Sequence, residues 1–356
     1  MTLENTSNIF YNILYKKSNI IKHIQKITYI LLYVLKGHSK DRIKYVLINS
    51  LLHHIDLVSQ KNNLIKNELF QNIHIQKDDS ILLNFAHTIE KDSLKLLNGD
   101  KTSFNIYSAR ILERYGQVLD DKDFIERIVK DDFELELKFY MNNILIGPDI
   151  IKFCCKIIIY SMNLVSKSTV IHSITTEHIA EQLARLLNLN NESINRVKFA
   201  AAVHDIGKVC IPINILEKNG ELSTYEFEIM KSHSYLSYKI LTDLSLLEVR
   251  DIALMHHEKL DGSGYPLGLL GDSIPFESRI ITISDIVSAL LCPRSYKNSY
   301  TKKKIIHILT LLKHDGKLDE YITDIFITNY DQIISRAFNN CRYLLENLDT
   351  RCKVEY

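Results

Sequence analysis

The chain has 356 residues, which on a scale of roughly 100–200 residues per domain allows two or three domains with well-buried cores. Lys+Arg number 44 against Asp+Glu 43, a formal net charge of +1, so no basic excess is available to neutralise a long polyanion and DNA or RNA is not the expected partner. With 46% hydrophobic and 24% charged residues the chain is neither disordered nor collagen-like, and only 11 Gly and 5 Pro predict an all-α protein, because strands and tight turns draw on those residues.

The first residues, Met1-Thr2-Leu3-Glu4-Asn5-Thr6, lack the basic region, apolar core and cleavage site of a secretion signal. Residues 1–146 contain Gly37, Gly99 and Gly116 and no proline, and their apolar residues at three- and four-residue spacing predict helices. The apolar runs Ile27–Leu35 and Cys154–Met162 fall short of the roughly 20 residues of a bilayer span and read as buried helices. Gly147-Pro148 marks a break, and we set the boundary between a helical N-terminal domain (1–160) and a helical C-terminal domain (161–356) just beyond it. Six cysteines without a Cys-x-x-Cys motif suggest a reduced, cytoplasmic chain.

Ile179, Leu183, Leu186 and Leu187 then form an apolar helical face, which Asn188-Leu189-Asn190-Asn191 ends before a second helix from Glu192 to Val203. Ser223 and Glu226 have capping-box spacing at the start of a helix carrying Phe227, Met230 and His233. Further helices are predicted from about Leu246 to His257 and from Phe276 to Leu291. Lys302-Lys303-Lys304 reads as a solvated helix face. Six of the 11 glycines and four of the 5 prolines lie between residues 207 and 293, where loops must hold particular shapes.

His172, His204-Asp205, His233, His256-His257 and Asp285 fall in this half, each expected at or near a helix end. Five imidazoles and two carboxylates, one of them able to bridge, form a ligand set for two divalent transition ions. Two octahedral ions offer about twelve positions, more than these side chains fill, and the vacancies distinguish a catalytic from a closed structural site. Gly262-Ser263-Gly264 lacks the strand and helix of a dinucleotide-binding turn.

The strings His204-Asp205-Ile206-Gly207-Lys208 and His256-His257-Glu258-Lys259-Leu260-Asp261-Gly262-Ser263-Gly264-Tyr265-Pro266 resemble the HD-GYP family of the HD superfamily of metal-dependent phosphohydrolases, and the intervals between His172, His204, His233 and His256 agree with it. The resemblance covers about residues 165–330 and implies a helical-bundle HD-type domain. It implies that His172, His204, Asp205 and Asp285 hold one metal and His233, His256 and His257 a second, with Asp205 bridging. Lys208 takes the place of the family's phosphate-contacting lysine; Gly264, Tyr265 and Pro266 form its substrate loop; Arg294, Tyr296 and Lys297 fall where it contacts substrate. Ser168 stands where many members have a Glu that serves a third metal, Ser288 replaces an acidic residue, and Arg294-Ser295-Tyr296 replaces Arg-Pro-Tyr.

The implied function is a signalling phosphodiesterase that opens cyclic di-GMP to pGpG or GMP by attack of a metal-bridging hydroxide, with cyclic GMP-AMP as the alternative substrate and a non-catalytic cyclic-dinucleotide receptor as the alternative role. Six-coordinate ions on a His-rich site with a bridging carboxylate favour iron or manganese over zinc. Residues 1–160 would regulate or dimerise the enzyme, a homodimer remaining open. His53-His54-Ile55-Asp56 leaves open a degenerate HD domain there; like His314-Asp315-Gly316, it reads as ordinary surface or loop sequence.

Overall fold

Helix starts in the C-terminal half are set by side-chain oxygens that accept the unpaired amide hydrogens of a first turn. Ser166 accepts from Thr169 N before α7 (Lys167–Leu186), and Asn190 accepts from Ser193 N at 2.8 Å before α8 (Asn191–Val203). Ser223 and Glu226 form the expected capping box at α10 (Thr224–Asp243). Asn188 ends the α7 segment with φ 55°, the left-handed conformation that Asn adopts more readily than other non-glycine residues.

The computed structural model describes residues 18–39, 42–43, 77–144, 147, 151–152, 155–156, 159, 166–292 and 299–347. Among them all regular structure is helical, with one isolated antiparallel bridge between Asp261 and Leu270. Two compact units divide the chain, Met1–Gly147 and Pro148–Tyr356. In the first, α1 (Ser18–Val34) packs on α2 (Lys77–Lys91) and on α6 (Glu134–Asn142); between α2 and α6 lie the short α3 (Ser93–Leu97), α4 (Ala109–Tyr115) and α5 (Lys122–Lys130). The Ile27–Leu35 run is a buried helix face, as expected. Tyr29 stacks on Phe133 and Tyr33 on Phe124, and both phenols reach carboxylates, Tyr29 donating to Glu136 at 2.7 Å and Tyr33 to Asp121 at 2.5 Å. Cys155 and Ile159 are buried; much of the second apolar run lies outside the described residues, as does His53-His54-Ile55-Asp56.

In the second unit α7 is central, packing against α8, α12 (Phe276–Leu291) and α15 (Tyr330–Asn347). It is buried along almost its whole length, including its polar residues. Ion pairs satisfy some of these: Lys156 reaches Glu177 at 2.9 Å, and Lys198 and Arg185 reach Glu181 at 2.7 and 2.8 Å. The short α9 (Ile213–Leu216) leads into α10, which packs on α11 (Leu247–Leu254); α13 (Lys302–His314) and α14 (Glu320–Thr328) complete the bundle before α15. Lys302, Lys303 and Lys304 are exposed, and so is His314.

The helix expected to reach His257 stops at Leu254, because the chain turns there: Glu258 N donates to Met255 O at 3.0 Å and leaves the helical ladder. His233 and Asp285, expected near helix ends, lie well inside α10 and α12.

A close approach joins the end of α8 to α10. Ser237 Oγ donates to His204 O at 2.7 Å and accepts from Gly207 N at 2.9 Å. A Cβ on Gly207 would stand 2.1 Å from His233 O and 2.5 Å from Ser237 N, so only glycine fits. Gly207→Ala is expected to lower stability by about 1–3 kcal/mol through overpacking, read as a lower urea midpoint at unchanged m-value.

Candidate metal centre

The histidines owe their orientation to a device used three times. Nδ1 of His204, His233 and His256 each donates to the carbonyl three residues earlier, Ala201, Met230 and Ala253, at 2.7, 2.6 and 2.5 Å. Fixing the proton on Nδ1 aims each Nε2 lone pair inward, as in protein metal sites. The carbonyls of two ligand-type histidines are themselves anchored: Ser288 Oγ donates to His172 O at 3.0 Å and Thr282 Oγ1 to His256 O at 2.8 Å.

Asp205, 1% exposed, stands at the centre. Its Oδ2 lies 3.2 Å from His204 Nε2 and 3.6 Å from His172 Nε2; its Oδ1 lies 3.2 Å from His233 Nε2 and 3.9 Å from His256 Nε2. Asp285 Oδ1 approaches His172 Nε2 at 2.9 Å and His204 Nε2 at 3.7 Å, and its Oδ2 approaches His257 Nδ1 at 3.5 Å. Two sets of side chains suited to metal ions result, His172–His204–Asp205 and His233–His256–His257, each with ligand atoms within 4.8 Å of one another. All seven metal-ligand positions named from the sequence are brought together.

The buried carboxylates of this cluster are held ionised by their neighbours. Burial opposes ionisation of Asp205 and Asp285, yet for Asp205 the neighbouring His204 and Lys208, and for Asp285 the neighbouring His172 and His204, hold the carboxyls well below the usual range. Burial likewise disfavours the imidazolium of His204, but Asp205 and Asp285 outweigh it and raise its pKa to about 10. Burial keeps His172 and His257 neutral and lowers His256 to about 3. Neutral, oriented imidazoles beside ionised carboxylates form a nitrogen and oxygen donor set for divalent transition ions. His204 Nε2 and Asp205 Oδ1 are buried without a hydrogen-bond partner among the described residues, an arrangement that bound cations would relieve.

Lys208 Nζ lies 2.5 Å from Asp205 Oδ2 and lines a solvent-open cleft together with His172, His233, His257, Tyr265 and Lys218. Tyr265 packs on His257 with ring centroids 4.6 Å apart, and burial raises its phenol pKa. Gly264 and Pro266 are not cleft-lining: Gly264 passes so close to the Glu258 backbone that a Cβ would stand 2.4 Å from Glu258 Cα. Arg294, Tyr296 and Lys297 lie outside the described residues. Ser168 lines the cleft, whereas Ser288 is fully buried and supports His172.

Sequence reasoning missed Glu258. It is 2% exposed, and its carboxylate accepts from Leu267 N at 2.6 Å and Leu269 N at 2.9 Å, holding the loop that carries Tyr265. Its place between the histidine pair and the glycine cluster was the available signal. Ser237 and Thr282, which tie histidine carbonyls, had no signal along the chain.

Residues 154–322 match the model of the HD domain family. The cyclic di-GMP phosphodiesterase response regulator RpfG of Xanthomonas campestris is 42% identical over 127 residues, covering 35% of this chain and 34% of that protein. The 3'3'-cGAMP-specific phosphodiesterase 2 of Vibrio cholerae is 36% identical over 174 residues, covering 48% of this chain and 33% of the relative. The matches thus span about a third of the length of these two relatives. A crystal structure of a cyclic GMP-AMP specific phosphodiesterase of V. cholerae aligns over 95% of this chain and 98% of its own, at 14% identity and a TM-score of 0.43.

Histidine ligates metal only when neutral, and His204 holds its proton at pH 7 in the metal-free protein. Cation entry should therefore expel about one proton per chain, and apparent affinity should rise with pH until His204 deprotonates near 10. Calorimetric titration of manganese into chelator-treated protein, in buffers of differing ionisation heat, reads that proton; the same heat in every buffer would contradict the assignment.

Proposed function

We propose that the chain is a metal-dependent cyclic-dinucleotide phosphodiesterase of HD-GYP type that hydrolyses cyclic di-GMP to pGpG or GMP. The observation that carries this reading is the single buried carboxylate of Asp205, whose two oxygens face two separate groups of histidines at the floor of an open cleft. His172, His204, Asp205 and Asp285 would hold one divalent ion and His233, His256 and His257 the other, with iron or manganese suited to the donor set. Such ions supply Lewis-acid charge and lower the pKa of water at the site.

The chain's own residues supply binding and orientation. Lys208 presents a positive charge where phosphoryl oxygens would enter, and Asp205 holds that ammonium in place. Tyr265, set on His257 and kept protonated by burial, offers an aromatic face for a base and a hydroxyl donor for phosphate. Lys231 stands over the Tyr265 ring at 5.7 Å and over Phe227 at 4.9 Å, adding charge on that side of the cleft. Glu258 positions the loop from behind. Arg294, Tyr296 and Lys297 complete the substrate contacts in this reading, and residues 1–160 serve regulation or dimerisation. Among the described residues no helix is long and apolar enough to cross a membrane. A cytoplasmic location is part of this proposal.

The curated relatives also include enzymes named for 3'3'-cGAMP, so that dinucleotide is the second substrate to assay. Full-length protein reconstituted with Fe(II) without oxygen, or with Mn(II), should convert cyclic di-GMP to a linear product resolved by anion-exchange chromatography. Asp205→Ala should abolish turnover, and Lys208→Ala should lower kcat about 100-fold, the loss typical of a removed transition-state donor. Binding without turnover in the wild type would make the protein a receptor; neither binding nor turnover of either dinucleotide would overturn the reading.

In the same assay Glu258→Gln should raise KM several-fold and leave bound metal unchanged. It retains the shape but gives up the charged acceptor of two amides, a change of about 1–2 kcal/mol in loop order.

A further inference from the structure

The N-terminal unit contains a second cluster of ligand-type side chains. His87 and Glu90, three residues apart on α2, share one face of that helix, and His23 meets them from α1. His23 Nδ1 lies 2.8 Å from Glu90 Oε1 and 2.7 Å from Oε2. The His23 and His87 rings stack with centroids 5.2 Å apart at 26°. One ligand atom from each of the three residues lies within 4.8 Å of the others.

We infer that His23, His87 and Glu90 form a site for a divalent transition cation of the zinc type, distinct from the HD-domain cluster. Two imidazoles and one carboxylate make a three-ligand set that leaves a fourth tetrahedral position for water or an external ligand. Metal–ligand bonds of about 2.0–2.2 Å at tetrahedral angles place neighbouring ligand atoms about 3.4 Å apart. The present His23–Glu90 separation of 2.7 Å is within 1 Å of that spacing, and His87 offers a ligand atom within 4.8 Å of both. The scaffold is suited to hold that geometry. Ile27 and Ile30 on α1, and Phe85, Ala86 and Ile89 on α2, are fully buried beside the ligands, so the backbones that carry them are fixed by packing.

The cluster also has a route for the ion. His87 forms part of a surface recess with Thr88, Lys91, Ile106 and Tyr107. All three ligands are of intermediate burial, His23 with 35% and Glu90 with 18% of the side chain exposed. In the cluster around Asp205, by comparison, His204 and Asp205 are almost fully buried beneath the cleft. The bound cation would replace the hydrogen-bonding proton of the His23–Glu90 pair and tie α1 to α2 through two imidazoles and a carboxylate.

Hydrogen exchange on the full chain separates this site from the HD domain, because its readout is local to two helices and does not use activity. Chelator-treated protein given excess zinc should show slower amide exchange in residues 18–34 and 77–91. His87→Gln and His23→Gln should each abolish that slowing and lose one cobalt equivalent per chain on cobalt loading; the exposed His23 ring is removable without opening the core. Unchanged exchange in both helices of the wild type on zinc addition, or full slowing retained in both variants, overturns the inference.

Discussion

A carboxylate taken out of water must be compensated, and the arrangement around Asp205 follows from that requirement. Its two oxygens face different histidines, its partner Asp285 adds a second negative charge within reach of His172 and His204, and Lys208 is the one lysine close to it. Lys208 and the protonated His204 face that charge in the metal-free protein. Cations answer it more fully, because they also satisfy the inward-facing nitrogen and oxygen lone pairs. Electrostatic frustration of this kind is what a site dedicated to metal looks like before the metal enters.

Holding the frustration requires a stiff frame. The donor histidines are not fixed by their own packing alone, since each of three is pinned by a hydrogen bond to a carbonyl one turn back. The carbonyls of His172, His204 and His256 are pinned in turn by Ser288, Ser237 and Thr282 from other helices. Gly207 permits the closest of these contacts by having no side chain. Glu258 extends the frame to the loop carrying Tyr265 on the cleft wall. Displacing a supporting hydroxyl therefore shifts a ligand without touching it.

The sequence made much of the candidate ligand set readable because ligand chemistry restricts residue type, and the strings around His204 and His256 are specific. The all-helical class was readable from scarce glycine and proline, and the capping box at Ser223 from local hydrogen-bond chemistry. Where His233 and Asp285 sit along their helices was not readable, because an amphipathic pattern fixes a face and leaves the boundaries loose. The serine and threonine supports were invisible for a different reason: a hydroxyl that donates to a carbonyl more than a hundred residues away, as Ser288 does to His172, has no local signature. The substitution of Ser288 for an acidic residue, alarming along the chain, is accounted for by that buried bond. His23 and His87 were equally silent, being joined only by the packing of α1 on α2.

The two clusters differ in the physical terms that decide how a cation is held. The set around Asp205 has two buried carboxylates, where screening by salt is weak, and three of its histidines are pinned by the frame. The cluster on α1 and α2 has one carboxylate, two imidazoles and partial exposure, so its charge is screened and water competes for the ion. Burial and carboxylate count divide the two clusters, one set beneath its cleft and the other open to screening by salt. That division follows from burial and charge alone.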